Sequence, residues 1–379
     1  MKKSNLKVAL VHDFLREYGG GERVLEALHE LFPQAPVYVA FVDKKALGSH
    51  WRRFEDWDIR STWFSKIPFH KRLFSPLRFL APHAFAALDL SEFDLVISST
   101  NAFEAKAVRV PNGKHLCYCH TPPRALYGYS TMSAWKKNPI IKFFGELINH
   151  YMRVVDFKHA QKVNQFIANG EETQERIKKF YRRKSVVIYP PVQLALAESE
   201  LEKIKEKSEQ DYYLFVNRLG LQKHPELALE VCLKLKKKLK IVGVGPMLED
   251  LKEMANGSNL IEFMGAVDDK QLAQLYAGAK ALLYPVEDED FGMVPIEAMM
   301  AGTPVIAHNS GGPRYTVVPG ENGVLFEGLS LEGLEEAVKK FEKMSFNPKK
   351  VSLTTETYTG KEFEQRMKKI ILKLSSETE

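Results

Sequence analysis

A chain of 379 residues, 45% hydrophobic and 27% charged, is long enough for two domains of ordinary size and has the balance of a globular protein. No run of 18 apolar residues occurs, so no transmembrane helix is expected. The net charge of +6 divides unevenly: residues 1–190 hold 30 Lys+Arg and 18 Asp+Glu (+12), and residues 191–379 hold 24 and 30 (−6), which points to an anionic partner for the basic half.

The apolar run of residues 6–11 ends at His12-Asp13, which reads as a first core strand and not as a signal peptide. Gly19-Gly20-Gly21 follows, and then an amphipathic helix over 22–32 with Val24, Leu25, Leu28 and Leu31 on one face. Strand, glycine loop and helix form the layout of a turn that accommodates phosphate or sugar. The G-x-G-x-x-G pattern is missing, so a dinucleotide fingerprint is absent. Three glycines taken alone read more simply as a flexible turn. A second strand is expected over 35–42.

Residues 51–80 interleave aromatics with cations. Arg60, Lys66, Lys71, Arg72 and Arg78 occur with no acid between Ile59 and Leu80. Two readings compete: a solvated basic face whose aromatics turn into the core, or attachment to an anionic membrane surface. Residues 94–98 and 115–119 read as parallel strands, ending in Ser98-Ser99-Thr100-Asn101 and His120-Thr121. Doubly wound sheets bind ligands at such carboxyl ends. A lone histidine after a strand is usually structural, but the prolines of Thr121-Pro122-Pro123-Arg124 would fix the loop that carries His120.

A long amphipathic helix is expected over 138–164, with Ile140, Phe143, Leu147, Tyr151 and Val155 as its apolar positions. Strands over 165–168 and 186–189 close the first series, and Pro190-Pro191 breaks any regular element. The polar run 196–211 reads as a surface linker helix with no core of its own. A second series begins at 212–216, with strands over 239–242, 260–263, 281–284, 305–307 and 323–326. Helical segments over 225–235, 247–254, 269–277 and 331–341 alternate with them, a pattern that specifies a parallel sheet covered on both faces. Gly243-Val244-Gly245-Pro246 imitates a dinucleotide loop, but Leu248 occupies the third glycine position. The three cysteines, Cys117, Cys119 and Cys232, lack metal-type spacing and read as reduced thiols of a cytosolic protein.

Residues 281–304 concentrate the chemistry. A short buried strand leads through an acidic loop into a helix beginning near Met293, with Glu289 and Glu297 eight positions apart. Phe291-Gly292 between them lets a ligand approach the backbone, and the helix start offers unpaired N–H groups. Carboxylates and amides together suit a ligand bearing hydroxyls and phosphates. The plainer reading is that both glutamates complement the helix dipole.

The segment EDFGMVPIEAMMAGTPVIA resembles the E-x7-E segment of retaining, GT-B-fold glycosyltransferases of family 4. VHDFLREYGGGERVLEAL, CYCHTPPR and RLGLQK continue the resemblance in order over about residues 1–330, and the subgroup is the WbaZ-type, GDP-mannose-dependent mannosyltransferases. The resemblance implies an α/β fold of two Rossmann-like doubly wound domains facing a cleft, with a C-terminal helix crossing back to the first domain. It divides the chain into an acceptor-side domain (1–195), a linker (196–211), a nucleotide-sugar-binding domain (212–355) and a C-terminal helix (356–379).

It further implies a metal-independent hexosyltransferase without cofactor, moving mannose from GDP-mannose onto a glycan or lipid-linked glycan at the cytoplasmic face of a membrane, with no role for nucleic acid. Alternatives are a UDP-sugar donor, a nucleotide-sugar 2-epimerase on the same fold, or a non-catalytic nucleotide-sugar binder. By the same resemblance Arg218 and Lys223 clamp the donor diphosphate, Glu297 takes the ribose hydroxyls, and Glu289 takes hydroxyls of the transferred sugar. His120 contacts that sugar, while Gly20, Gly21, Phe291, Gly292, Met293 and Val294 lie along the donor. Tyr127 is assigned to the acceptor side, and the cations Arg60, Lys66, Lys71, Arg72 and Arg78 to acceptor or membrane. Two departures stand out: Arg314-Tyr315 where a glutamate commonly follows Gly311-Gly312-Pro313, and Gly170 where a serine is usual.

Overall fold

The computed structural model describes residues 6–129, 139–208 and 210–376. They form two units, one of residues up to Pro191 together with those from Gly360 on, the other of Val192–Thr359.

The first unit is built on a seven-stranded parallel sheet. Its strands are β1 (Val8–His12), β2 (Val37–Val39), β3 (Ile59–Ser61), β4 (Leu95–Thr100), β5 (Lys114–Cys119), β6 (Gln165–Ala168) and β7 (Ser185–Val187), in the order β3-β2-β1-β4-β5-β6-β7. β1 and β4 are buried along their whole length, as strands of a sheet covered on both faces are, and both pass from apolar residues to polar ones at their carboxyl ends. They pair in register from Val8↔Leu95 to His12↔Ser99, which sets two polar side chains beside each other at their carboxyl ends. Helix α1 (Gly20–Leu31) turns Val24, Leu25 and Leu28 into the core. The tail helix Gly360–Ser376 completes that core with Phe363, Met367, Ile371 and Leu374.

Helix α2 (Pro139–Ala160) behaves unlike the amphipathic helix expected over 138–164, whose first residue lies outside the described ones. Phe143, Phe144, Leu147, Tyr151 and Val154 are exposed, while Asn149, Met152 and Asp156 face inward. The inner face is therefore partly polar, because it meets buried groups that need partners.

The second unit opens with α3 (Glu198–Lys207) and carries a six-stranded parallel sheet. Its strands are β8 (Tyr212–Val216), β9 (Lys238–Val242), β10 (Ile261–Gly265), β11 (Ala281–Tyr284), β12 (Val305–His308) and β13 (Gly323–Phe326), in the order β10-β9-β8-β11-β12-β13. Helix α4 (Met293–Met300) follows β11. The run 196–211, expected as a coreless linker helix, is instead held to this unit. Leu201 is buried, and the Lys205 ammonium donates to Thr303 Oγ1 at 2.6 Å and to the Ala277 carbonyl at 3.3 Å. Polar composition concealed one buried face.

Candidate functional site

Each sheet reverses its strand order once, between β1 and β4 in the first unit and between β8 and β11 in the second. Crevices at the carboxyl ends of strands flanking such a reversal are where doubly wound sheets take ligands. Most of the expected site residues lie at these two places.

In the second unit the loop after β8 carries Arg218, exposed, and Lys223, half-buried. The ammonium of Lys223 is paired with the Glu289 carboxylate, whose Oε2 also accepts from the Tyr284 hydroxyl at 3.0 Å. Glu297 is buried on α4 and accepts from the Tyr276 hydroxyl at 2.8 Å. Gly311 sits against the Glu289 loop so closely that an added Cβ would come within 2.2 Å of the Glu289 carbonyl oxygen. The Gly312 N–H donates to that same carbonyl at 2.7 Å. The glycine pair after β12 thus fixes the backbone that presents Glu289.

Gly292 has φ +86, so a backbone turn into α4 requires glycine there. Met293 and Val294 are half-buried at the helix start. Phe291 is only 4% exposed and packs on Tyr358 with ring centroids 5.7 Å apart, so its ring supports the loop from the core. The glycines that imitate a dinucleotide loop also find their cause here. A Cβ on Gly243 would come within 1.9 Å of the Asn217 carbonyl oxygen, so the loop after β9 must be bare to let the Arg218-bearing loop pack against it.

In the first unit the expected His120 stands just beyond β5, buried, with Gly20 and Gly21 opening α1 beside it. A Cβ on Gly21 would lie 3.6 Å from His12 Cε1 and 3.7 Å from His120 Nε2. His120 Nε2 is 2.8 Å from Ser99 Oγ, which is 3.1 Å from His12 Nδ1, and His12 Nε2 is 3.5 Å from Glu22 Oε1. The other oxygen of Glu22 accepts the Gly19 N–H at 2.9 Å and so caps α1. Burial holds the His120 imidazole in its neutral form and pulls its pKa down to about 4, with His12 nearby adding to the effect. Thr173 Oγ1 donates to the His120 carbonyl at 2.9 Å, and Arg176 Nη1 to Thr121 Oγ1 at 3.0 Å, which anchors the loop from the Glu171–Arg176 helix.

Three of these partners, His12, Ser99 and Glu22, escaped sequence reasoning, as did Asp13. The carboxylate of Asp13 accepts the N–H groups of Asn101, Ala102, Phe103 and Ala105 at 2.8–3.0 Å, and the Thr100 hydroxyl at 3.2 Å. It fastens the loop that follows β4. The signal available was a polar His-Asp pair ending an otherwise apolar strand.

Tyr127, expected on the acceptor side, turns its hydroxyl inward to Asp156 Oδ2 at 2.5 Å and stacks on Phe180. It joins a buried network in which Lys106 is shared between Glu104, at 2.8 Å, and Asp156, at 2.5 Å. With two carboxylates and one ammonium in a dry site, the Glu104 carboxyl is pushed well above the usual carboxylate range by burial and by Asp156.

The basic segment divides between the two readings. Phe64 is wholly buried among Phe41 and Phe103, but Phe69 and Trp63 are exposed, and Lys66 and Arg72 stand outside with them. Arg60 forks onto Asp58 at 2.7 and 3.1 Å. Lys71 lies 3.6 Å from Asp43. Arg78 is a correction to its place among surface cations: it is part-buried, bonds Asn149 of α2, and burial lowers its pKa.

Residues 197–358 match the family model described as glycosyl transferases group 1. The chain is 26% identical to the alpha-1,3/1,6-mannosyltransferase alg2 of Schizosaccharomyces pombe, over 86% of this chain and 71% of that protein. It is 27% identical to the alpha-1,3/1,6-mannosyltransferase ALG2 of Mus musculus, over 60% of this chain and 59% of that protein. Among solved structures, Anabaena HepE in complex with UDP and glucose superposes with a TM-score of 0.69 at 18% identity, covering 97% of this chain and 99% of that one. Two parallel-sheet units, each with its polar groups at a strand-order reversal, agree with that likeness of fold. Residues 197–358 are therefore similar to glycosyl transferases group 1, and the two parallel-sheet units have the fold of GT-B glycosyltransferases.

Proposed function

We propose that this protein is a retaining glycosyltransferase that moves a hexose, mannose from GDP-mannose, onto a glycan or lipid-linked glycan. The observation that carries the reading is the cluster of Arg218, Lys223, Glu289 and Glu297 around the β8/β11 reversal, within the stretch that matches the family. Arg218 and Lys223 take the diphosphate and stabilise the charge that grows on it as the glycosidic bond to the leaving group lengthens. Glu297 binds the ribose hydroxyls. Glu289 orients hydroxyls of the transferred sugar and faces the positive charge developing at the anomeric carbon. His120 is assigned a further sugar hydroxyl. The mannosyltransferase relatives support the choice of sugar.

Two cations acting on the diphosphate make a divalent metal unnecessary, and transfer in excess EDTA at the full rate is the expected outcome. Strict dependence on Mg²⁺ or Mn²⁺ would remove Arg218 and Lys223 from this role. A nucleotide-sugar panel screened by thermal unfolding tests the donor: a ligand at 100 times its Kd stabilises by about 2.7 kcal/mol. GDP-mannose is expected to stand out. Preference for a UDP-sugar would overturn the donor assignment, and a rearranged sugar formed without acceptor would replace transfer with 2-epimerisation.

The outward apolar face of α2 and the exposed Phe69 and Trp63 amid cations support a lipid-linked acceptor reached at an anionic membrane surface. No helix among the described residues is long and apolar enough to cross a membrane, so attachment under this reading is peripheral.

A further inference from the structure

The chain Glu22–His12–Ser99–His120 lies wholly within the first unit and is made of links at 3.5, 3.1 and 2.8 Å. Its members are all nearly buried, with His12 4%, Glu22 7%, Ser99 0% and His120 8% exposed. A hydroxyl and two neutral imidazoles can each donate in either direction, so these three alone leave the sense of the chain open. Glu22 does not. An ionised carboxylate only accepts, and its second oxygen is already committed to the Gly19 N–H.

With both imidazoles neutral, one arrangement satisfies every link. His12 donates from Nε2 to Glu22 and accepts at Nδ1 from the Ser99 hydroxyl. Ser99 Oγ in turn accepts from His120 Nε2. The proton of His120 is then used inward, and Nδ1 keeps a lone pair that no described residue takes. We propose that Glu22, acting through His12 and Ser99 as positioning residues, holds His120 as its Nε2–H tautomer and so presents Nδ1 as a hydrogen-bond acceptor to a hydroxyl of the bound sugar. The last clause rests on the functional reading above; the tautomer assignment does not. The tautomer of an imidazole is set by the bond made at its other nitrogen, and here that bond is traced to a helix-capping carboxylate three residues deep in the chain.

Glu22→Gln tests the assignment with little change of shape. The amide oxygen can keep the Gly19 N–H, which turns the amide NH₂ toward His12 Nε2 and reverses every donor behind it. Long-range ¹H–¹⁵N spectra of the full-length protein with ¹⁵N-labelled histidine are expected to show His12 and His120 as Nε2–H tautomers in the wild type, and both as Nδ1–H in Glu22→Gln. Ser99→Ala cuts the chain, and His120 is expected as a mixture of the two. The wild-type spectrum keeps the test decisive even where a variant fails to fold. A wild-type His120 protonated at Nδ1, a doubly protonated His12, or a Glu22→Gln spectrum identical to wild type would each overturn the proposal. Transfer by Glu22→Gln is expected to fall at least tenfold while nucleotide affinity stays within twofold. Inverted tautomers with undiminished transfer would overturn the sugar contact alone. Failure of every nucleotide sugar to bind would instead overturn the functional reading and leave the tautomer result standing.

Discussion

The two units share an architecture and place their polar groups at equivalent points of their sheets, but they stabilise those groups by opposite means. In the first unit, Ser99, His12 and His120 are buried and satisfied by one another in a chain of hydrogen bonds. In the second, Lys223 and Glu289 are partly exposed and neutralise each other as ions, with Arg218 outside. A buried hydrogen-bonded chain fixes the geometry of its donors and acceptors. An ion pair near solvent is cheap to open, since much of its attraction is already lost to water. Under the proposed function, the contrast gives fine positioning to one unit and contact with the anionic diphosphate to the other.

Removing a charge from the second unit is the strongest way to break this contrast. Lys223→Ala is expected to lower turnover on the order of 10²–10³-fold with a much smaller change in donor affinity, because the diphosphate gains charge toward the transition state. Steady-state kinetics with the preferred donor measure it, and an unchanged kcat would end the division of labour. Glu297→Ala should act on binding instead. A charge-assisted hydrogen bond contributes about 1.5–3 kcal/mol, so roughly 10–100-fold weaker nucleotide binding is expected by titration calorimetry. Unaltered affinity would free Glu297 from the ribose.

The first unit should fail first in acid. Burial lowers the pKa of His120 to about 4, of His115 to about 3 and of His159 to about 4, all in that unit. An unfolded histidine titrates near 6.5, so between about pH 6.5 and 4 the unfolded chain binds more protons and stability falls as pH falls. Glu104 opposes them, because its raised pKa favours the folded state as pH drops. Three groups outweigh one, and urea melts at pH 7, 5.5 and 4.5 are expected to show the loss. Hydrogen exchange should place it first in β1, β4 and β5; earlier opening of the second sheet would contradict the ranking.

The smallest effect concerns the surface of the first unit. Changing Lys66, Lys71 and Arg72 together to Ser should weaken sedimentation with anionic vesicles, at about 1 kcal/mol per cation at most, and added salt should mimic the change. Phe143→Ser with Phe144→Ser should weaken it independently of salt. Equal partitioning to neutral and anionic vesicles, or none to either, would favour a soluble acceptor.

The alternation of apolar runs made both parallel sheets legible in the sequence, because strands buried on both faces cannot hide their composition. Glu289 and Glu297 stood out in the sequence as an acidic pair around a glycine, whereas Arg218 and Lys223 were singled out only by the family resemblance. What stayed hidden were partners far apart in the chain. Ser99 meets His12 across 87 positions, and nothing local in Ser98-Ser99-Thr100 distinguishes the hydroxyl that does so. Helix α2 misled for another reason: periodicity reports an apolar stripe but not the direction it faces, and here the inner stripe carries Asn149 and Asp156 to meet Arg78, Lys106 and Tyr181. β3 was missed because its three residues, Ile59–Ser61, are too short and too polar to announce a strand.

The tail helix Gly360–Ser376 gives the chain an unusual order of assembly on the ribosome. A first sheet complete at β7 would ordinarily fold while the second is still being made, since domains fold as units during synthesis at about 5–20 residues per second. Here the hydrophobic core of that sheet includes Phe363, Met367, Ile371 and Leu374, which emerge after the entire second unit. At that pace the nascent first unit waits roughly 10–40 s with apolar surface uncovered. A helix made after the second unit thus closes the core of a sheet made before it, and premature termination between β7 and Gly360 would leave the first unit with an open core even though every one of its strands had been synthesised.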